Sequence, residues 1–187
     1  MVPRPGLLVL VVGPSGVGKD TLLNGALAAL AHRRDIVFPR REITRPVEAG
    51  GEAHLPIDRR TFTERRAAGR YALAWEAHGL GYGIDLAVEA DLAAGRQVVV
   101  NVSRTVLDAA RRRFPRVRVV QVVASPAVVR DRLLARGRED ADDVARRLAR
   151  ASAIPVGGDD VVTVCNDSGP AEGVRRFLAA LCRPAHR

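Results

Sequence analysis

Lysine is all but absent from this chain: Lys19 stands alone, and the other 29 of its 30 basic residues are arginine. Such a bias reflects genome composition at most positions. The one site that keeps a compact ammonium in place of a planar fork is therefore informative. Aromatic residues are also scarce, at 4% of 187 residues. No platform of interleaved aromatic and basic side chains exists, which argues against nucleic-acid binding although the net charge is +9. That charge is spread along the chain, and a protein acting on polyphosphates would be basic too. The two cysteines, Cys165 and Cys182, form no CxxC and no Cys/His pair. They exclude a thiolate metal site and are expected to be buried or incidental thiols. The longest apolar run, Leu7 to Val12, is too short to span a bilayer. Met1 to Pro5 carries little positive charge and no small-residue cleavage site follows it, so a cytoplasmic protein without a membrane partner is expected. There is no internal repeat and no low-complexity linker.

What is present is an alternation of strand and helix patterns. Leu7 to Val12 is a continuous apolar run, as in a strand buried on both faces, and Gln97 to Val102, Val117 to Val123 and Val161 to Val164 read as further buried strands. Between them lie helical patterns: Gly18 to Ala31, Thr61 to Ala68 with Thr61 as N-cap, Asp85 to Ala94, a helix capped by Ser103, one opened by Ser125-Pro126 and running to Arg136, Asp140 to Ser152, and one ending near Leu181. Tyr71 to Trp75 adds a further candidate strand. The order predicts an α/β fold, a parallel sheet of about five strands flanked by helices, in a single domain spanning residues 1–187. Residues 36–84 break the rhythm with charge, Gly and Pro, and read as an inserted substrate-binding region.

Gly13-Pro14-Ser15-Gly16-Val17-Gly18-Lys19-Asp20-Thr21 matches G-x-x-x-x-G-K and lies between a predicted strand and a predicted helix. Glycines there let backbone N–H groups turn inward around phosphates, and the helix N-terminus adds its positive end. The lone lysine supplies a point charge to the oxygens of a transferring phosphoryl group. The pattern predicts an ATP site. The residue after the lysine is commonly Ser or Thr, whose hydroxyl ligates Mg²⁺; here it is Asp20, followed by Thr21. A carboxylate is a hard oxygen ligand and can hold Mg²⁺ directly or through water. The alternative is that Asp20 only charges the first helical turn.

Beyond the phosphate loop, the chain from Leu7 to Leu181 resembles the guanylate-kinase group of P-loop kinases, and more closely the ribose 1,5-bisphosphate phosphokinases of bacterial phosphonate breakdown. The landmarks are Arg-Glu-Ile-Thr-Arg-Pro (Arg41 to Pro46), Gly-Glu-Ala-His (Gly51 to His54), His-Gly-Leu-Gly-Tyr-Gly (His78 to Gly83), Val-Val-Asn-Val-Ser-Arg (Val99 to Arg104), Arg-Gly-Arg-Glu (Arg136 to Glu139), Arg-Arg-Leu (Arg146 to Leu148) and Cys-Asn-Asp-Ser (Cys165 to Ser168). The resemblance implies that Arg45 meets the acceptor's phosphate with Tyr82 beside it, that Asn166 approaches the adenine, and that residues 136–150 form a lid. Arg136 and Arg147 of that lid would close on the transferring phosphoryl group. For Arg146 and Arg150 a solvated helix face is an equal reading.

The departures from guanylate kinases are as telling as the matches. Where those enzymes read the guanine edge with a Glu and a hydroxyl, this chain has Ala72-Leu73-Ala74-Trp75 and Ile84. Glu48 stands where a second phosphate-binding arginine would be, and Asn101 and Ser103 replace an acidic strand end. Glu76 lies one residue away from a guanine-reading match. The resemblance thus implies an ATP-dependent kinase that phosphorylates ribose 1,5-bisphosphate to 5-phosphoribosyl 1-diphosphate, a guanylate or other nucleoside-monophosphate kinase being the alternative. A kinase-like fold used only for binding would have no need of Lys19, Asp20 and the lid arginines. On the acceptor side Arg41 and Arg45 are expected to meet phosphates, and Glu52 and His54 to hold ribose hydroxyls.

Overall fold

The computed structural model describes residues 5–46, 53–135 and 156–183. Their Cα positions group into two compact units, Met1–Leu10 with Ala31–Val117, and Val11–Leu30 with Arg118–Arg187. The elements alternate as the patterns predict. β1 (Leu7–Val12) leads to α1 (Lys19–Ala29), and β7 (Gln97–Asn101), α4 (Leu107–Arg113), β8 (Val117–Val123), α5 (Pro126–Ala135), β9 (Val161–Cys165) and α6 (Pro170–Cys182) follow the central region. That central region contains β2 (Ile36–Val37), β3 (Glu42–Ile43), β4 (Leu55–Pro56), α2 (Arg59–Ala67), β5 (Tyr71–Ala77), β6 (Leu80–Asp85) and α3 (Val88–Ala93).

A five-stranded parallel sheet has the order β2-β7-β1-β8-β9. Every residue of β1 is buried, which is why its sequence is apolar without alternation. The expected sheet is therefore present, and Ile36–Val37 belongs to it, in register with Gln97 and Val98. The inserted region begins after that strand.

In the unit that holds the phosphate loop, α6 buries Phe177, Ala180 and Leu181. Its last carbonyls would lack partners. Buried Arg118 supplies them, donating from Nη1 to the Ala180 and Leu181 carbonyls at 3.3 and 3.1 Å. Cys165 and Cys182 are both free and exposed, so the expectation of buried thiols fails and incidental thiols remain.

In the other unit the central region folds into a second sheet, β4-β3-β6-β5, which the sequence patterns did not predict. β3 is parallel to β4 and antiparallel to β6, and β5 and β6 form a hairpin. Its two-residue turn, His78-Gly79, has positive φ at both positions (52° and 74°), the pattern of a type I′ turn whose twist matches the strands. Helix α2 lies on one face. Its cap is Asp58 rather than Thr61: the carboxylate accepts from Thr61 N at 2.9 Å and from the Thr61 hydroxyl at 2.6 Å. The helix therefore starts two residues earlier than the sequence suggests. Likewise, Asp85 accepts from Ala87 N at 2.8 Å in a turn preceding α3 and does not cap it directly. On the α2 face of the hairpin, a side chain at Gly81 or Gly83 would collide with the rings of Phe62 and Tyr71 at 2.6 and 2.4 Å. The Gly-x-Gly spacing of β6 is thus what lets those rings pack on the strand.

Candidate active site

Residues 13–18 join β1 to α1 as a loop. Gly18, at φ 91° and ψ 21°, is the left-handed residue from which α1 starts, and a Cβ there would lie 2.6 Å from the Asn166 amide. Only glycine meets both the conformation and the clearance. Lys19 folds back over the loop, its Nζ donating to the Gly13 and Pro14 carbonyls at 2.7 and 3.0 Å. Asp20 occupies the first turn of α1, half-buried, with no hydrogen bond or ion pair among the described residues. Thr21, next to it, is exposed.

The loop is braced from outside by side chains that the sequence pattern does not place there. Asn166 is 4% exposed, and its Nδ2 donates to the Val17 carbonyl at 2.7 Å, while its Oδ1 is buried without a partner. Arg132 of α5 donates from Nη1 to the same carbonyl at 3.3 Å and from Nη2 to the Ser168 carbonyl at 3.4 Å. Both residues line a cavity of about 240 Å³ with Gly18, Thr21, Leu22, Ala135 and Pro170. Asn166 thus lines a cavity beside the phosphate loop while its amide supports the loop. Arg132 was not foreseen; its only signal is its place in the sequence four positions before Arg136. Asp167 ties the loop after β9 to the one after β8 by accepting from Ser125 N at 2.6 Å. That hydrogen bond, followed by one from the Cys165 thiol, holds the Asp167 carboxyl below its ordinary 3.8.

The acceptor-side residues occupy the other unit. Arg41 sits over an aromatic pair: its guanidinium carbon is 5.7 Å from the Trp75 ring centroid and 5.2 Å from that of Tyr82. The two rings stack on each other at 5.2 Å and 2°. Arg45 follows β3, and its Nε is buried without a partner. His54 is 6% exposed with Nε2 against the Arg45 carbonyl at 2.9 Å, so the structure sets this imidazole behind Arg45 as a support. Leu73 and Ile84 are direct cross-strand partners, 6% and 1% exposed. Glu76 turns the other way: it accepts from Arg59 at 2.9 Å and Arg66 at 3.1 Å, both on α2. Its one-residue offset from a guanine-reading position therefore places it on the opposite face of the strand from Trp75.

That opposite face carries a buried cluster missed in the sequence. Glu42, 6% exposed, accepts from Arg65 and from the Tyr71 hydroxyl. Burial, then the bond to Glu42, pushes the Tyr71 phenol well above its ordinary 10.0, so Tyr71 is a permanent donor. Of the other expected residues, Glu52, Arg136 and Arg147, with the 136–150 segment, lie outside the described residues. Among the described residues no group of three or more His, Cys, Asp and Glu side chains is arranged to hold a metal, and no helix is long and apolar enough to cross a membrane.

Comparison with known proteins agrees with this geometry. The guanylate kinase family profile matches residues 6–163. The ribose 1,5-bisphosphate phosphokinase PhnN of Acidiphilium cryptum is 52% identical over 97% of this chain and 96% of its own, and that of Methylobacterium radiotolerans is 48% identical over 95% and 98%. Among solved structures, the guanylate kinase of Anaplasma phagocytophilum superposes with a TM-score of 0.65 at 17% identity, covering 98% of this chain and 90% of that one, a likeness of fold. A glycine loop between β1 and α1, the five-stranded parallel sheet, the family profile and full-length relatives near half identity lead to one assignment: the chain belongs to the guanylate kinase family and, within it, to the ribose 1,5-bisphosphate phosphokinases.

Proposed function

We propose that this kinase transfers the γ-phosphoryl group of ATP to the 1-phosphate of ribose 1,5-bisphosphate, forming 5-phosphoribosyl 1-diphosphate and ADP, as an enzyme of the cytoplasm. A 1-phosphate oxygen forms the new bond to the γ-phosphorus, and the bond from that phosphorus to the β–γ bridging oxygen breaks. The two compact units are read as parts of one kinase domain, the second sheet binding the acceptor and residues 136–150 acting as lid.

The observation that carries this reading is the Leu73–Ile84 pair. Guanine's edge would meet two aliphatic side chains there, and each of its donors left unpaired in a buried pocket costs about 1–3 kcal/mol. A base-free sugar phosphate avoids that cost, and Arg41 and Arg45 offer cations for its two anionic ends.

On the nucleotide side, the inward N–H groups of residues 13–18 and the N-terminus of α1 would cradle the β- and γ-phosphates. Lys19, now on the Gly13 and Pro14 carbonyls, would exchange these neutral acceptors for phosphate oxygens. Asn166 and Arg132 keep the loop in shape through the Val17 carbonyl. The residues fit Mg²⁺: Asp20 is a hard-oxygen donor in the first turn of α1 with no partner among the described residues, and Mg²⁺ needs few protein ligands when phosphates and waters complete its shell. When bound, the ion would neutralise charge on the phosphates. Arg136 and Arg147 would add cationic donors to the transferring group, and Tyr82 would stand beside the acceptor.

The test is ADP release measured with ribose 1,5-bisphosphate and with GMP as acceptor. The sugar bisphosphate is expected to win by at least about a hundredfold in kcat/KM, ~2.7 kcal/mol. GMP turnover equal to or above it would restore the nucleotide-kinase alternative. In the same assay Asp20→Ala is expected to raise the Mg²⁺ concentration for half-maximal rate; an unchanged requirement would leave Asp20 a helix-start charge.

A further inference from the structure

Arg41 precedes β3, whose Ile43 pairs with Tyr82, which in turn pairs with Trp75 across the hairpin. Residues 41 and 43 share a face of an extended strand, so Arg41, Tyr82 and Trp75 lie on one side of the second sheet. Trp75 is nearly buried, which anchors the platform in the core. The cation–π contact engages the flat face of the guanidinium, while its N–H donors lie in its plane.

An aromatic stack in a binding site is ordinarily a place for a base, because every base has a π-face. Here the stack already carries a guanidinium. We propose that Arg41, held on the Trp75–Tyr82 stack, is the specificity determinant of the acceptor site: it reads the non-reacting 5-phosphate and occupies the surface on which a nucleobase would stack. The inference rests on the proposed acceptor, and assigns its two phosphates to different arginines. Arg45 lies four residues further along, beyond the end of β3. Its Nε is buried without a partner, as for a group completed by an anion. Arg45 thus takes the reacting phosphate and Arg41 the remote one. Trp75 and Tyr82 act as positioning residues through Arg41.

Trp75 is the only tryptophan of the chain, so intrinsic fluorescence reports on this platform directly. The experiment titrates the full-length protein, wild type and Arg41→Met, with ribose 5-phosphate and separately with ribose 1-phosphate. Trp75 emission and calorimetry are the readouts. Ribose 5-phosphate is expected to change the wild-type emission saturably, and Arg41→Met to weaken it roughly thirtyfold, as for the loss of a charge-assisted bond. Affinity for ribose 1-phosphate should change less than about threefold. Arg41→Lys should recover only part of the loss, since it restores charge without the planar fork. Equal weakening toward both monophosphates, or no weakening toward either, would overturn the assignment. Arg41-dependent binding of ribose 5-phosphate in a protein that fails to turn over the bisphosphate would sink the proposed reaction and leave the subsite standing.

Discussion

Around the phosphate loop, side chains hold backbone. Lys19 grips the Gly13 and Pro14 carbonyls, and Asn166 and Arg132 both reach the Val17 carbonyl. Around the second sheet, side chains hold side chains: Arg65 and Tyr71 on Glu42, Arg59 and Arg66 on Glu76, Arg41 on Trp75 and Tyr82. The first arrangement fixes a backbone shape. In the proposed reading, the second fixes which side chains the acceptor meets. A nucleotide site can therefore stay nearly constant while the acceptor site is rewritten by a few residues.

The comparison breaks first at Lys19. Lys19→Met is expected to lower kcat about a thousandfold, ~4 kcal/mol of barrier, with the fold unchanged by circular dichroism, because Nζ contacts loop carbonyls and not the core. Turnover within about threefold of wild type would refute the role.

Glu42→Leu should act in the other unit. It leaves Arg65 and the Tyr71 hydroxyl without their acceptor, and with Arg65 half-exposed the loss should be about 2 kcal/mol of stability. Denaturant unfolding measures it, and steady-state kinetics should show the acceptor KM rising while the ATP KM stays put. If both rise together, the two regions are not energetically separable.

Asn166→Ala is the mirror test. Removing the donor to a buried carbonyl should cost about 1–2 kcal/mol and raise the ATP KM roughly tenfold, leaving the acceptor KM alone.

The smallest effect is at Asp167. Its folded-state carboxyl titrates below the ordinary 3.8, so it contributes stability above that value and loses it as pH falls through the lowered one. Asp167→Asn should melt slightly below wild type near neutrality, and the gap should close in strong acid. A gap independent of pH would show that charge plays no part in the tie to Ser125.

How far the sequence reached follows the same division. Four strands of the parallel sheet and their helices were legible because burial leaves runs dominated by apolar residues, unbroken in Leu7 to Val12, whereas the two-residue β2, Ile36–Val37, is too short to show. The phosphate loop was legible because its chemistry is local: Lys19 and the carbonyls it grips lie within six positions. The second sheet was not. β3 and β4 are two residues each, too short for any period to show, and Glu42 meets Arg65 and Tyr71 across 23 and 29 positions. Asp58 outranked Thr61 as cap only because its carboxylate reaches both donors of Thr61. Sequence alone determined that a strand, a glycine loop and a lone lysine would make a phosphate site, since backbone geometry and one charge suffice for that. Tertiary structure alone decided that Glu76 faces α2, that His54 stands behind Arg45, and that Arg41 lies on Trp75 and Tyr82. Glu76, Trp75 and Tyr82 take their faces from strand register, and a shift of one residue would turn them to the other face.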